Sequence, residues 1–378
     1  MKNILIVTDY FYPAFKAGGP VKSLKNLINK FETLGGYKFE VVTSNRDIDG
    51  TILSTDKEKL PFNLNLTNIN YFSRVFDLFY YFLSSKEKKK FDIVYLNSFF
   101  SFKFSILFIF FSKLNLFETK QLLVAPRGEL TRGAMSLKKV RKRFYCYFFR
   151  CFKIKKIAKF HFTSQEEVDD AFFFLGEVDY ILVPNMHDPI PNYIKKDKTV
   201  GTLNVIFLSR ISKKKNLLTL CKALTNLDLR NGKVNFKIAG NIEDNDYWQR
   251  CLKVLNKSNN NLQYEYLGAL KPVEVKNTLS ESHVFALPTL NENYGHAIVE
   301  AMALSNLVLI SDQTPWSKVR DNGSFVFKVN DVDYISNCIK LMINLDAEQY
   351  AKRSSTTYDY ISNILINNES LVEGMFND

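Results

Sequence analysis

The sequence predicts an α/β protein of two domains, each built on a parallel sheet. Three observations carry this. A length of 378 residues exceeds one ordinary domain. Hydrophobic residues make up 46% of the chain, enough for two cores and too many for a disordered segment. Short unbroken apolar runs, of the kind buried on both faces of a parallel sheet, alternate with helical patterns in both halves.

The first run, residues 2–8, is followed at once by Asp9 and lacks a cleavage-site pattern, so it reads as a strand and not a signal peptide. Pro20 suits the first turn of the next helix, and Val21, Leu24, Leu27, Ile28 and Phe31 give that helix its apolar face. Between strand and helix, Gly18 and Gly19 let a backbone approach a ligand closely. Their loop stands at the carboxyl end of the strand, where open α/β sheets bind ligands. Further strands are predicted at 39–43, 92–97 and 122–125, with 47–68 a polar, irregular surface stretch. The run 99–111 is the most apolar. Lys103 interrupts it, and it is shorter than the ~20 residues a spanning helix needs, so it predicts a buried or interfacial helix and no transmembrane segment. Residues 161–167 read as a short strand entering a helix capped by Thr163 or Ser164, with Glu167 completing the cap. His161, among aromatics, reads as structural. Residues 181–185 close the first half. Pro189 and Pro191 mark 188–199 as a linker. The expected domains are 1–190 and 200–354, with a last helix at about 355–378 packing back on the first.

In the second half a strand at 204–208 leads into Ser209-Arg210-Ile211-Ser212-Lys213-Lys214-Lys215-Asn216. Arg210 and Lys215 lie on either side of a turn and can aim at one anion. A planar fork of donors beside a compact charge suits a diphosphate. Strands follow at 236–239, turning at Gly240, and at 264–268. The stretch 287–302 then ends a strand, crosses a polar loop and starts a helix at Gly295, with Ile298, Ala301 and Met302 on its apolar side. Such a corner offers N–H groups and the positive end of a helix to an anion. Glu292 and Glu300 frame it, and carboxylates accept hydrogen bonds from hydroxyls. Phosphate on amides and hydroxyls on carboxylates is the chemistry of a nucleotide sugar. A strand at 307–311 precedes Asp312-Gln313-Thr314-Pro315-Trp316.

Taken in order from Gly18 to Trp316, these motifs resemble the retaining glycosyltransferases of the GT-B fold, family 4. Glu292 and Glu300 match its E-x7-E motif. Arg210 and Lys215 match its Gly-Arg-Leu-x-x-x-Lys-Gly motif, with Ser209 and Asn216 at the glycine positions. Pro126-Arg127-Gly128-Glu129-Leu130 and the Asp-Gln-Thr-Pro-Trp run resemble a subgroup associated with capsular and exopolysaccharide synthesis. Many members carry His where this chain has Arg127, and Gly and Pro where it has Ser305 and Leu307.

The resemblance implies two Rossmann-like domains facing across a cleft. It implies a UDP- or GDP-linked sugar donor at Gly18, Gly19, Arg210, Lys215, Gly240, Asn293, Tyr294, Gly295, His296, Ala297 and Glu300. Glu292, Arg210, Lys215 and Arg127 are the expected catalytic residues. A salt bridge to Glu129 or another carboxylate is the plainer reading of Arg127. The acceptor expected on the first domain is a saccharide or a polyprenyl-diphosphate-linked saccharide, in bacterial-type surface polysaccharide synthesis. No cofactor and no metal are expected: the basic pair stands in for a cation, and no Asp-x-Asp triplet placed after a strand to hold one is expected. Two alternatives remain, a nucleotide-sugar epimerase of related fold and a non-catalytic nucleotide-sugar-binding subunit. An epimerase would change the donor without an acceptor, and a binder would leave it unchanged.

The net charge of +12 is concentrated in 138–159, where ten of 22 residues are Lys or Arg, none is acidic, and aromatics are interleaved. An anionic membrane surface attracts such a segment. Nucleic acid does not fit, since no nucleic-acid fold signature accompanies it. The plainer reading is a helix with an apolar core face and a solvated basic face. Five scattered cysteines without CxxC spacing predict a reducing compartment, hence a cytoplasmic protein with peripheral contact at the inner face of the plasma membrane.

Overall fold

The computed structural model describes residues 1–54, 67–84, 88–136, 139–151, 157–227, 232–258 and 261–376. It divides into two compact units, Met1–Asp188 with Asn367–Asp378, and Pro189–Ile366. Strands β1 (Lys2–Val7), β2 (Tyr37–Ser44), β3 (Thr67–Phe72), β4 (Lys90–Leu96), β5 (Glu118–Val124), β6 (Ala158–Phe162) and β7 (Tyr180–Leu182) form the sheet of the first unit. Their order is β3-β2-β1-β4-β5-β6-β7, and every pairing is parallel. The second unit holds β8 (Thr202–Leu208), β9 (Lys233–Ala239), β10 (Leu262–Gly268), β11 (Val284–Leu287), β12 (Leu307–Ser311) and β13 (Phe325–Phe327). Their order is β10-β9-β8-β11-β12-β13, again all parallel. Each unit is thus Rossmann-like.

Burial on both faces explains the unbroken apolar runs. Ile4 to Val7 on β1 and Leu307 to Ile310 on β12 have no exposed surface. In the first unit the two faces belong to different cores. Ile4 and Ile6 pack with the helix Gly19–Leu34 and with Phe376 near the C-terminus. Leu5 and Val7 pack with Leu78, Phe82, Phe108, Phe149 and Val168, which come from helices crossing the other face.

The structure corrects some expectations and refines others. β3 begins inside the stretch expected to be irregular, of which 55–66 lie outside the described residues. The basic segment is not one element: a helix Lys139–Cys151 ends before β6 starts at Ala158, and residues 138 and 152–156 lie outside the described ones. The apolar run 99–111 becomes a π-helical turn, Phe102–Ile106, continuing as an α-helix to Lys113. No described helix is long and apolar enough to cross a membrane. The last helix, Ala347–Glu373, starts before residue 355, and only the chain from Asn367 onward belongs to the first unit.

Candidate active site

In both sheets the strand order reverses beside the first strand of the unit, between β1 and β4 and between β8 and β11. Loops leaving neighbouring strands diverge at such a point and leave a crevice at their carboxyl ends. In the second unit those loops carry the two residues singled out by separate motifs. Lys215 follows β8 and Glu292 follows β11, and they form a close ion pair, both side chains largely buried.

The backbone holds this pair in place. After β8 the chain makes a 3-10 turn, Lys213–Lys215, and leaves it through Asn216 in a left-handed conformation (φ 56°). Asn tolerates this better than most residues, which accounts for its presence at a glycine position of the motif. The loop after β11 is tied to that turn. Leu290 N and Thr289 Oγ1 donate to the Lys214 carbonyl at 2.8 and 3.2 Å, and Glu292 N donates to Gln313 O at 2.9 Å. Ser311 Oγ donates to Thr289 O at 2.6 Å. Gly295 opens the helix His296–Ala303 with φ 78°. A Cβ there would stand 2.8 Å from Ile298 Cδ1 and 3.1 Å from Glu292 Cγ, so a side chain would crowd the pair in a backbone conformation that favours glycine. Gly240 is more tightly constrained, with the backbone Ser209 O 2.0 Å from where its Cβ would lie.

Tyr294 is buried with its hydroxyl unpartnered, and burial pushes that phenol's pKa up. Its carbonyl accepts from Trp316 Nε1, and the two rings meet edge to face at 5.5 Å. The Trp of the Asp-Gln-Thr-Pro-Trp run thereby supports the Glu-Asn-Tyr-Gly loop. Asn293, His296, Ala297 and Glu300 are partly exposed around the same helix start.

Arg210 is not drawn to Lys215. Its Nη1 pairs with Glu243 Oε1 at 3.2 Å, and both side chains are about half exposed. In this structure each cation of the motif holds its own carboxylate.

In the first unit Gly18 (φ 79°) and Gly19 open the helix Gly19–Leu34 with no side-chain cap, leaving the first N–H groups to other partners. Arg127 contradicts its plainer reading, because among the described residues it forms no ion pair. It too is left-handed (φ 52°), and it donates to three neutral groups: Nε to Asn97 Oδ1 at 2.7 Å, Nη1 to Asn185 Oδ1 and Nη2 to Tyr95 Oη at 2.6 Å. Tyr95 Oη donates to His161 Nδ1 at 2.8 Å, and His161 Nε2 donates to Val183 O at 2.7 Å, which fixes the tautomer. Burial, with Arg127 nearby, pushes the imidazole pKa down to about 3. Glu129 instead accepts from Ser98 Oγ and from the amides of Phe99 and Phe100 at 2.6 and 3.0 Å. Burial raises its pKa and that of Asp9, which accepts from Ser101 Oγ at 2.7 Å. Asn97, Asn185 and Asp9 are positions that motif reading passed over. A signal was present, since the two asparagines end the predicted segments 92–97 and 181–185.

Three Asp-x-Asp triplets do follow strands, and in Asp331-Val332-Asp333 the first carboxylate caps a helix at Tyr334 N. In Asp47-Ile48-Asp49 both carboxylates bind Lys16, Asp47 through its amide at 3.2 Å and Asp49 through Nζ at 2.6 Å. In Asp244-Asn245-Asp246 the first carboxylate caps a helix at Tyr247 N and pairs with Lys213. No group of three metal-ligating side chains occurs among the described residues.

Residues 191–359 match the family described as Glycosyl transferases group 1. No curated protein matches the chain in sequence. Among solved structures, HepE of Anabaena in complex with UDP and glucose superposes with a TM-score of 0.73 at 16% identity, over 99% of each chain. TarM of S. aureus, solved with UDP, Fondaparinux and alpha-GlcNAc-glycerol, gives 0.69 at 13% identity over 100% of each chain. Sucrose-phosphate synthase of Thermosynechococcus elongatus gives 0.68 at 15%, over 99% of this chain and 97% of that one. The fold is GT-B, residues 191–359 match the group 1 glycosyl transferase domain, and the chain is a glycosyltransferase.

Proposed function

We propose that the enzyme transfers a sugar, with retention, from a UDP- or GDP-linked donor to a saccharide or polyprenyl-diphosphate-linked saccharide in surface polysaccharide synthesis. The observation that carries this reading is the Lys215–Glu292 pair at the strand-order reversal of the second unit. In the reaction the bond from sugar C1 to the phosphate oxygen breaks, and an acceptor hydroxyl oxygen takes its place. Charge grows on the departing diphosphate, and Lys215 with Arg210 would neutralise it. Glu292, already fixed by its own amide and by Lys215, would accept from the sugar hydroxyls, and Glu300 from the ribose. Gly295 would keep the backbone close enough for its N–H to reach the donor. Arg127, positively charged and facing neutral partners, is proposed to contact the donor sugar or phosphate in place of the family His. A lipid-linked acceptor would bring the enzyme to the inner face of the plasma membrane. The capsule subgroup resemblance and the basic helix support that part.

Calorimetric titration of UDP and of GDP, without metal, tests the reading. One nucleotide should bind saturably, and Arg210→Ala should weaken it ~tenfold or more. If neither nucleotide binds the parent protein, the donor site is wrongly placed.

A further inference from the structure

The helix Lys139–Cys151 faces outward in an unexpected way. Cys146 and Phe149 point into the core. At 3.6 residues per turn the opposite face carries Val140, Phe144 and Tyr147, which are 84%, 71% and 66% exposed. Arg143 and Arg150 flank this stripe on one side and Arg141 on the other, all exposed. A merely solvated basic face would put the arginines at its centre. Here an apolar stripe is outermost and the cations border it.

The neighbouring helices repeat the pattern. Phe110 packs against Phe148, with ring centres 6.4 Å apart, and joins the helix ending at Lys113 to the basic one. Phe79 and Phe82 pack on Phe111 at 4.6 and 5.9 Å and join the helix Val75–Leu83 to the same layer. Outward from that layer stand Phe102 and Phe110, and beside them Phe76 and Tyr80, one helical turn apart and 78% and 69% exposed. All three helices cover one face of the first sheet. In sequence they hold seven Lys or Arg and one acid, Asp77.

We infer that this three-helix layer is a docking surface for an anionic lipid bilayer, with the aromatic side chains entering the interface and Arg141, Arg143 and Arg150 meeting phosphate headgroups. Charge decides the occupant. A second copy of the same face would bring arginines against arginines. A bilayer bearing anionic lipid supplies the opposite charge and a solvent for the rings in one surface. Scattered exposed aromatics are ordinary in proteins, but three adjacent helices presenting them in one layer are not.

The inference rests on the surface of the first unit alone, so flotation without any nucleotide tests it separately from the donor site. The parent protein should float with vesicles of phosphatidylcholine mixed with phosphatidylglycerol and stay behind with phosphatidylcholine alone. High salt should release it. Arg141→Gln with Arg143→Gln and Arg150→Gln should weaken partitioning ~100-fold, three charges each contributing about a factor of five. Phe110→Ser with Phe144→Ser should weaken it at least ~tenfold, the circular dichroism spectrum staying that of the parent. The inference is overturned if the parent floats with neither vesicle or equally with both, or if both variants float as the parent does. It is also overturned if sedimentation shows a dimer that the Phe variant splits while vesicles are ignored.

Discussion

Two cations, one in each unit, stand past the carboxyl ends of strands in their sheets and are held in opposite ways. Lys215 sits where β8 and β11 diverge and is neutralised by a carboxylate. Arg127 follows β5, reaches back to Asn97 beyond the end of β4, and among the described residues donates only to neutral oxygens. A cation paired with a carboxylate exchanges that partner when an anionic ligand arrives. A cation held by amides and a phenol keeps its full charge, and its position is fixed by groups that a ligand does not displace. On the proposed function, Lys215 would change partner when the donor arrives, and Arg127 would stay where it is.

The largest expected effect breaks the first half of this contrast. Lys215→Ala should lower kcat for sugar transfer by ~10²- to 10³-fold, the usual loss when a group facing developing charge is removed. Stability should fall as well, by about 3 kcal/mol, because the largely buried Glu292 carboxylate loses its partner. A full-rate Lys215→Ala enzyme would show that the ion pair is only structural. Arg127→Met tests the second half through stability. It leaves Asn97, Asn185 and Tyr95 short of a donor in a buried setting, and should cost about 3 kcal/mol in urea unfolding. A loss below about 1 kcal/mol would mean that those groups find other partners and that Arg127 is not rigidly held.

The third test uses pH. The folded pKa of His161 lies near 3, below its ordinary 6.5, so the unfolded chain binds a proton that the folded one does not. The stability due to its neutrality is complete above pH ~6.5 and is lost as pH falls toward 3, by at most ~1.4 kcal/mol per pH unit. His161→Gln can still donate to Val183 O and accept from Tyr95, and should remove that slope. Urea melts at pH 7 and pH 5 read it as a parent-minus-variant difference of about 2 kcal/mol. Parallel pH profiles for parent and variant would place the acid sensitivity elsewhere.

Why these contrasts differ in legibility follows from distance along the chain. β1, β11 and β12 show as continuous apolar runs because both faces are buried. β3 is an edge strand, and its alternation of Asn and Thr with apolar residues looked like loop. β13 has only three residues, too few for any period to show. In the second unit Arg210, Lys215, Glu292 and Gly295 were each visible through local spacing. The pairing of Lys215 with Glu292 was not, since 77 residues separate them and only the strand-order reversal joins them. Arg127 was visible through its motif. Its partners were not, because Tyr95 and Asn97 stand at the end of β4 and Asn185 beyond β7, and none carries a spacing of its own.

The smallest expected effect sharpens the contrast most. Glu292→Gln keeps the shape and hydrogen-bonding capacity of the side chain and removes its charge. If Glu292 competes with the diphosphate for Lys215, the variant should bind the cognate nucleoside diphosphate about fivefold more tightly, roughly 1 kcal/mol, while sugar transfer falls. Asn97→Ala removes a neutral partner of Arg127 and should leave the same affinity unchanged. Calorimetry on both variants reads the two outcomes. A fivefold gain confined to Glu292→Gln marks Lys215 as a cation that changes partners. A loss of affinity there would instead mean that Glu292 holds Lys215 in position for the phosphates, as Asn97, Asn185 and Tyr95 hold Arg127, and the two cations would then be built on one plan.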